Sequence, residues 1–133
     1  ERNRLWGYDW RKDYDGRPVE EYFLAVAQED FRLRRCVNFA VRLGEKCIGE
    51  AVLYNLDWRG GAELGCRIAP EYAGCGYGTE AFAAAADWAL YGLGLARVVA
   101  KCFKENEASY KMLSFSMTRT GEDEQYFYFE KTI

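Results

Sequence analysis

The stretch RIAPEYAGCGYGTEAFAAAADWALYGLG, residues 67–94, passes from a strand-like segment through a turn of small residues into an alanine-rich helix. Gly74, Gly76 and Gly78 alternate with Cys75 and Tyr77 at the point where that helix begins. Glycine is a poor helix starter, so local stability does not explain its use here. The first amides of a helix have no acceptor inside the helix, and the dipole adds partial positive charge there. Without a Cβ, the main chain can come close to an anion. The segment therefore reads as an anion site, in which the backbone N–H groups of residues 74–79, through Thr79, cradle a diphosphate. The competing reading is a tight strand-to-helix connection with glycines chosen for packing.

Two nucleotide motifs fit poorly. A dinucleotide fingerprint, G-x-G-x-x-G, would put its third glycine at Thr79, and Arg97 and Val98 stand where an acidic residue belongs about 20 positions on. A phosphate-binding G-x-x-x-x-G-K-[ST] loop needs a lysine that does not follow these glycines. Among common diphosphates that carry a reactive group, coenzyme A remains.

Outward from this stretch the chain alternates periods. Ahead of it, "AELGCRIA" (62–69) is strand-like, with Leu64, Cys66 and Ile68 on one face and Glu63, Gly65 and Arg67 on the other. "WRGG" (58–61) is a turn. Residues 36–57 read as a hairpin: Val37, Phe39 and Val41 alternate, "LGEK" turns, and Ile48 to Leu56 returns. Val19, Tyr22, Phe23, Val26 and Ala27 have helical spacing after Pro18, and residues 1–18 form an irregular arm. The alanine-rich helix should run from Tyr77 to Tyr91 and bury Ala81, Phe82, Ala85, Trp88 and Ala89, with "GLG" (92–94) as its stop. "ARVVAKCF" (96–103) is a buried type of strand. Asn106 is a good N-cap for a helix over 107–115. After the polar "RTGEDE", "QYFYFEKT" (125–132) is a final strand. Strand, helix, strand, helix, strand in the second half favours some parallel pairing. The whole, 1–133, reads as one α/β (α+β) domain.

Composition narrows the function. The 133 residues are half hydrophobic and include 10 Tyr, 8 Phe and 4 Trp, enough for a packed core. A net charge of -3 and a pI near 5.1 argue against nucleic-acid or anionic-membrane partners. No His is present, which removes histidine metal sites and Ser-His or Cys-His nucleophiles. Cys36, Cys47, Cys66, Cys75 and Cys102 are scattered, without C-x-x-C spacing. They read as reduced thiols of a cytoplasmic protein, and no metal is expected. No apolar run approaches the roughly 20 residues of a spanning helix. The start at Glu1 without Met reads as a removed tag or a missing N-terminal piece.

The stretch "AELGCRIAPEYAGCGYGTEAF", followed by "LGLARVVAKCFKENEASYKML", resembles the GNAT superfamily of acyl-CoA-dependent N-acetyltransferases, and within it the RimJ/RimL-like branch. The likeness covers residues 35–133 in element order and is sharpest over 63–113. It implies a mixed, strongly twisted sheet flanked by helices, splayed between the family's fourth and fifth strands, with acetyl-CoA in the gap. The usual first strand and helix are not visible before Trp6. The family's loop motif, [Gln/Arg]-x-x-G-x-[G/A], places its last two positions on Gly76 and Gly78 and its first on Ala73. Ala73 is a departure, and Cys75 stands where a basic residue is frequent. The resemblance further implies that main-chain groups of Cys66, Arg67 and Ile68 pair with the pantetheine arm, and that Asn106 contacts the cofactor. The Gly-Phe usual after the later helix is replaced by Met117 and Thr118.

The same resemblance sets the chemistry: direct transfer of acetyl to a primary amine, on a protein N-terminus or a small molecule. Glu63 is the first candidate for general base and Glu50 the second. Many relatives carry a Tyr at the position of Leu113 as acid to the thiolate, whereas the RimL-like branch has a Ser at the position of Ser109. Ser109 is thus the expected proton donor, with Tyr110 as alternative. Trp6, Tyr8, Trp10, Tyr14, Tyr22 and Phe23 would supply the acceptor wall. Two other readings stay open: a CoA-binding or interaction protein of the same fold with little catalysis, and a dinucleotide-binding enzyme. The aromatic "YFYF" (126–129) could pair two copies into a homodimer.

Overall fold

A computed structural model describes residues 25, 28–57 and 59–133. The strands are β1 (Val37–Leu43), β2 (Lys46–Tyr54), β3 (Gly61–Ile68), β4 (Arg97–Phe103), β5 (Thr118–Glu122) and β6 (Tyr126–Thr132). Helix α1 (Tyr77–Asp87) joins β3 to β4, and α2 (Glu107–Ser116) joins β4 to β5. The sheet order is β1-β2-β3-β4-β6-β5. Among the described strands only β3–β4 is a parallel pair; the other pairs are antiparallel. The mixed sheet with flanking helices is the architecture expected from the sequence. No helix among the described residues is long and apolar enough to cross a membrane.

The strand period of two sorts side chains between two faces. Leu53, Leu64, Cys66, Val98, Ala100 and Phe129 join Phe82 and Ala86 of α1 and Leu113 of α2 in one buried cluster. The alanines let α1 lie close on the sheet. Phe82, fully buried, is the large residue of that contact, and such burial contributes about 1.5–3 kcal/mol. The opposite face carries Glu50, Tyr54, Glu63, Val99 and Glu130, as the registers β2–β3, β3–β4 and β4–β6 require.

Three sequence readings need correction. The long helix does not continue as one α-helix to Tyr91: from Trp88 to Gly92 it widens into a π turn, closed by Leu93 N–H donating to Trp88 O at 2.8 Å. The wider turn rotates Trp88 off the core, leaving it 41% exposed and edge-on to Phe39, while Leu90 turns inward. The buried stripe is therefore Phe82, Ala86, Ala89 and Leu90, with Ala81 and Ala85 packed at its margin. Second, the polar stretch ahead of the final strand, given no element in the sequence, contains β5, an edge strand with every side chain exposed. No apolar alternation marks it, because none of its side chains enters the core. Its turn lies later, where Asp123 Oδ1 accepts from the amides of Gln125 and Tyr126. Third, "YFYF" does not lie at a sheet edge. It belongs to β6, which is paired on one side with β4 and on the other with β5. Residues 25 and 28–32 are helical. The rest of the first helix, the arm over 1–18 and the aromatic wall from Trp6 to Phe23 lie outside the described residues.

The feature that positions the site is the β3–β4 ladder. It consists of Gly61↔Arg97, Ala62↔Val98 and Glu63↔Val99, although β3 runs on to Ile68 and β4 to Phe103. Past Glu63 the two strands diverge, and α1 begins beside the opening.

Candidate active site

After β3 the chain makes a 3-10 turn over Pro70–Tyr72 and then the glycine turn. Gly74 has φ 78 and Gly76 φ 86, and a Cβ on either would meet nothing within 4 Å. These two glycines answer to backbone handedness, and the space over them is open. Gly76 is the N-cap of α1, with no side-chain cap. The first α-helical bond is that of Glu80 N–H to Gly76 O, 3.1 Å, so the amides of Tyr77, Gly78 and Thr79 have no intrahelical partner. Gly78 differs. A Cβ there would lie 3.2 Å from Ile68 Cγ1 and 3.4 Å from Met112 Sδ. The sequence offered an anion site and a packing turn as rivals. The turn is open at Gly74 and Gly76 and close-packed at Gly78.

Ala73 and Cys75 are exposed and bring no charge. Cys75 Sγ lies 3.8 Å from Ala73 O. The structure brings Lys46 to the neighbouring turn, with Nζ 5.4 Å from the Tyr72 ring centroid. That lysine lies 26 residues upstream of Tyr72 in sequence, at the hairpin turn, and no local motif links the two.

Cys66, Arg67 and Ile68 occupy the diverging half of β3. Their side chains are already engaged. Cys66 Sγ lies in the core, 3.9 Å from Gly78 O, and burial, with Glu50 nearby, pushes its thiol up to about 12. Arg67 Nε lies 2.8 Å from Glu50 Oε1, across the β2–β3 ladder. Ile68 packs on the first turn of α1. What these residues can offer a ligand is main chain.

Asn106 caps α2, its Oδ1 accepting from Ser109 N–H at 3.1 Å. Ser109 is half-buried in the first turn of that helix. The Tyr110 ring stands edge-on to Phe127 and Phe129, at 5.1 and 5.5 Å, and its hydroxyl accepts from Arg119 Nη1 at 3.5 Å. Leu113 is buried.

Glu63 is the last residue of the β3–β4 ladder and thus stands at the apex of the opening. Tyr54 O–H donates to its Oε2 at 2.8 Å, and Asn55 Nδ2–H to its Oε1 at 3.2 Å. The Tyr54 phenol is pushed well above its ordinary value by burial first, then by the charge of Glu63 and the hydrogen bond to it, then by Tyr126. The Tyr128 phenol is raised mainly by its bond to Asp123, with Glu63 contributing. Glu63 is thus gathered with Tyr54, Tyr126 and Tyr128 on the face away from α1. These tyrosines were missed in the sequence; the signal was their parity within their strands. Among the described residues no three His, Cys, Asp or Glu side chains gather to hold a metal.

A split sheet, helix-start amides beside the split, and a carboxylate at its apex define an acyltransferase of the splayed-sheet type. The sequence matches the acetyltransferase (GNAT) domain over residues 1–114, and the chain belongs to that family of acetyltransferases. Members of this family use acetyl-CoA. No curated protein matches by sequence. Among solved structures, RimJ of Mycobacterium smegmatis in complex with CoA-disulfide is similar at 20% identity and TM-score 0.77, over 95% of this chain and 66% of that one. The ribosomal-protein-S5-alanine acetyltransferase of Vibrio fischeri is 23% identical with TM-score 0.74, over 85% and 71% of the two chains. A variant of the spermidine N-acetyltransferase SpeG of Vibrio cholerae is 18% identical with TM-score 0.74, over 84% and 74%. At these identities the likeness is one of fold.

Proposed function

We propose that this chain moves an acetyl group from acetyl-CoA directly to a primary amine at the β3–β4 opening. The observation that carries this reading is the early end of the β3–β4 ladder beside a turn open at Gly74 and Gly76. Acetyl-CoA, when bound, supplies an acyl thioester already reactive toward amines. The amides of residues 74–79 would hold its diphosphate, assisted by the α1 dipole. The main chain of Cys66–Ile68 would pair with its pantetheine arm. Asn106 caps α2 through Oδ1 and keeps Nδ2 for the same ligand. With Ala73 and Cys75 in the loop, main-chain donors carry the phosphate charge.

The attacking amine must be neutral, and the leaving thiolate must gain a proton. Glu63 accepts the amine proton at a carboxylate oxygen. Ser109 Oγ donates to the thiolate in preference to Tyr110, whose ring is packed on β6. Glu50 is engaged by Arg67 and serves to orient it. Cys66 is not an acetyl carrier in this route, since its thiol is buried and held protonated. The acceptors named for structural neighbours, spermidine and the alanine of a ribosomal protein, share an amine, and that shared group is the assignment here. Unbridged thiols suit a reducing compartment such as the cytoplasm.

Ala73 and Cys75 favour one other reading, a CoA-binding protein with little turnover. Calorimetric titration with acetyl-CoA and with a dinucleotide, followed by thiol release over a panel of amines, separates the two. Binding of acetyl-CoA alone, with turnover, is expected. Glu63→Gln should lower kcat by roughly 100-fold or more and leave acetyl-CoA affinity unchanged. Wild-type turnover in that variant would remove Glu63 from the role.

A further inference from the structure

We infer that Tyr54 and Asn55 form a two-donor clamp that positions Glu63 as proton acceptor, an inference that rests on the function proposed above. Tyr54 is the last residue of β2 and the direct cross-strand partner of Glu63. Its hydroxyl reaches Oε2 as strand geometry allows. Asn55 should not reach the same carboxylate, because successive strand residues point to opposite faces. It does so because the backbone leaves strand geometry there: Asn55 has φ 50, and among the described residues only Arg34 shares a positive φ outside glycine. Asparagine tolerates this conformation better than most residues, yet it carries a cost. The left-handed step brings Nδ2 to 3.2 Å from Oε1. Each carboxylate oxygen thereby takes one donor.

Such an arrangement does two things. It fixes the rotamer of a carboxylate at the apex of the opening, where misplacement is costly. It leaves acceptor capacity, since a carboxylate has about four lone-pair sites and the clamp takes two. Tyr54 remains a donor throughout, because burial and the Glu63 charge keep its phenol protonated. A network that merely stapled the end of β2 to β3 would not need both donors on one carboxylate at the ladder's last rung.

The test is a double-mutant cycle on Tyr54→Phe, Asn55→Gly and Glu63→Ala. Glycine takes φ 50 without strain, so N55G removes the donor and keeps the turn. The readouts are kcat by thiol release, acetyl-CoA affinity by calorimetry, and thermal midpoint. Y54F and N55G should each lower kcat about tenfold with acetyl-CoA affinity unchanged. In the E63A background Y54F should change kcat by no more than about twofold. An equal cost of Y54F in both backgrounds, or wild-type kcat in Y54F and N55G, overturns the clamp while leaving Glu63 as base. Wild-type kcat in E63A overturns the base itself and so the positioning role. The thermal midpoints would then still register coupling between positions 54 and 63 as a purely structural contact.

Discussion

Gly76→Ala separates what the glycine turn does for the fold from what it does for a ligand. Gly76 has φ 86 and a Cβ there would meet nothing within 4 Å. The cost to the protein alone is therefore conformational, about 1–2 kcal/mol for a left-handed alanine. Gly94, beyond the other end of the helix, has φ 82 and is equally open. Gly94→Ala carries the same strain at a place remote from the proposed ligand. Both variants should lose similar thermal stability, roughly 4 °C per kcal/mol for a chain of this size. Only G76A should weaken acetyl-CoA. The diphosphate would lose one charge-assisted bond, worth about 1.5–3 kcal/mol, which is about a 10- to 100-fold rise in Kd. Differential scanning fluorimetry and calorimetric titration on the three proteins give both numbers. Equal Kd values for G76A and wild type, or an equal rise in G94A, would refute the assignment of the diphosphate to this turn.

Three further outcomes follow from the same surface and core. Ala73→Arg restores a charge beside the loop and should tighten acetyl-CoA by about two- to fivefold at low salt, a gain that fades as salt screens it; titration at two ionic strengths checks this, and an unchanged Kd at low salt counts against a phosphate there. Alkylation mapped by mass spectrometry should reach the exposed Cys47 and Cys75 first, and the buried Cys66 and Cys102 last. Because the Cys66 thiol is raised from 9.0 to about 12 on folding, its contribution to stability is whole below pH 9.0. That contribution is lost as the pH climbs toward 12, since the unfolded chain then ionises first. A decline in thermal midpoint above pH 9.0 that Cys66→Ala lessens is the expected result; rapid alkylation of Cys66 in the native protein would contradict its burial.

Elements with a periodic apolar face were readable in advance. The β1–β2 hairpin, β3, β4 and α2 stand where alternation or capping put them, with Asn106 acting as cap on Ser109 N–H. What failed to show lacks an apolar signal. β5 buries no side chain, and its ladder to β6 and the surface contacts of Arg119, Thr120 and Glu122 leave no apolar pattern to read. The π turn at Trp88–Gly92 depends on how the end of α1 meets β1, a contact between Trp88 and Phe39 some fifty residues apart. The site shows the same division. The glycine turn is local and visible. The company of Glu63 is not, because Tyr54, Tyr126 and Tyr128 come from two strands that only the sheet order brings to its side.

Two glycines beside the opening serve packing, Gly49 on β2 and Gly78 on α1. Ile68 ends β3, and both its neighbours have given up side chains to receive it. On β2, a Cβ at Gly49 would stand 2.2 Å from Arg67 O and 2.8 Å from Ile68 Cδ1. On α1, a Cβ at Gly78 would press Ile68 Cγ1 and Met112 Sδ. The end of β3 is thus drawn onto β2 and the first turn of α1, and Ala69 N–H continues the hold by donating to Ile48 O at 2.7 Å. β4 is drawn the other way, paired with β6 along its full length from Arg97 to Phe103. Beyond Glu63 each strand thus keeps its outer partner, while the ladder between the two ends. The third glycine of the turn therefore acts on packing, whereas the first two border open space.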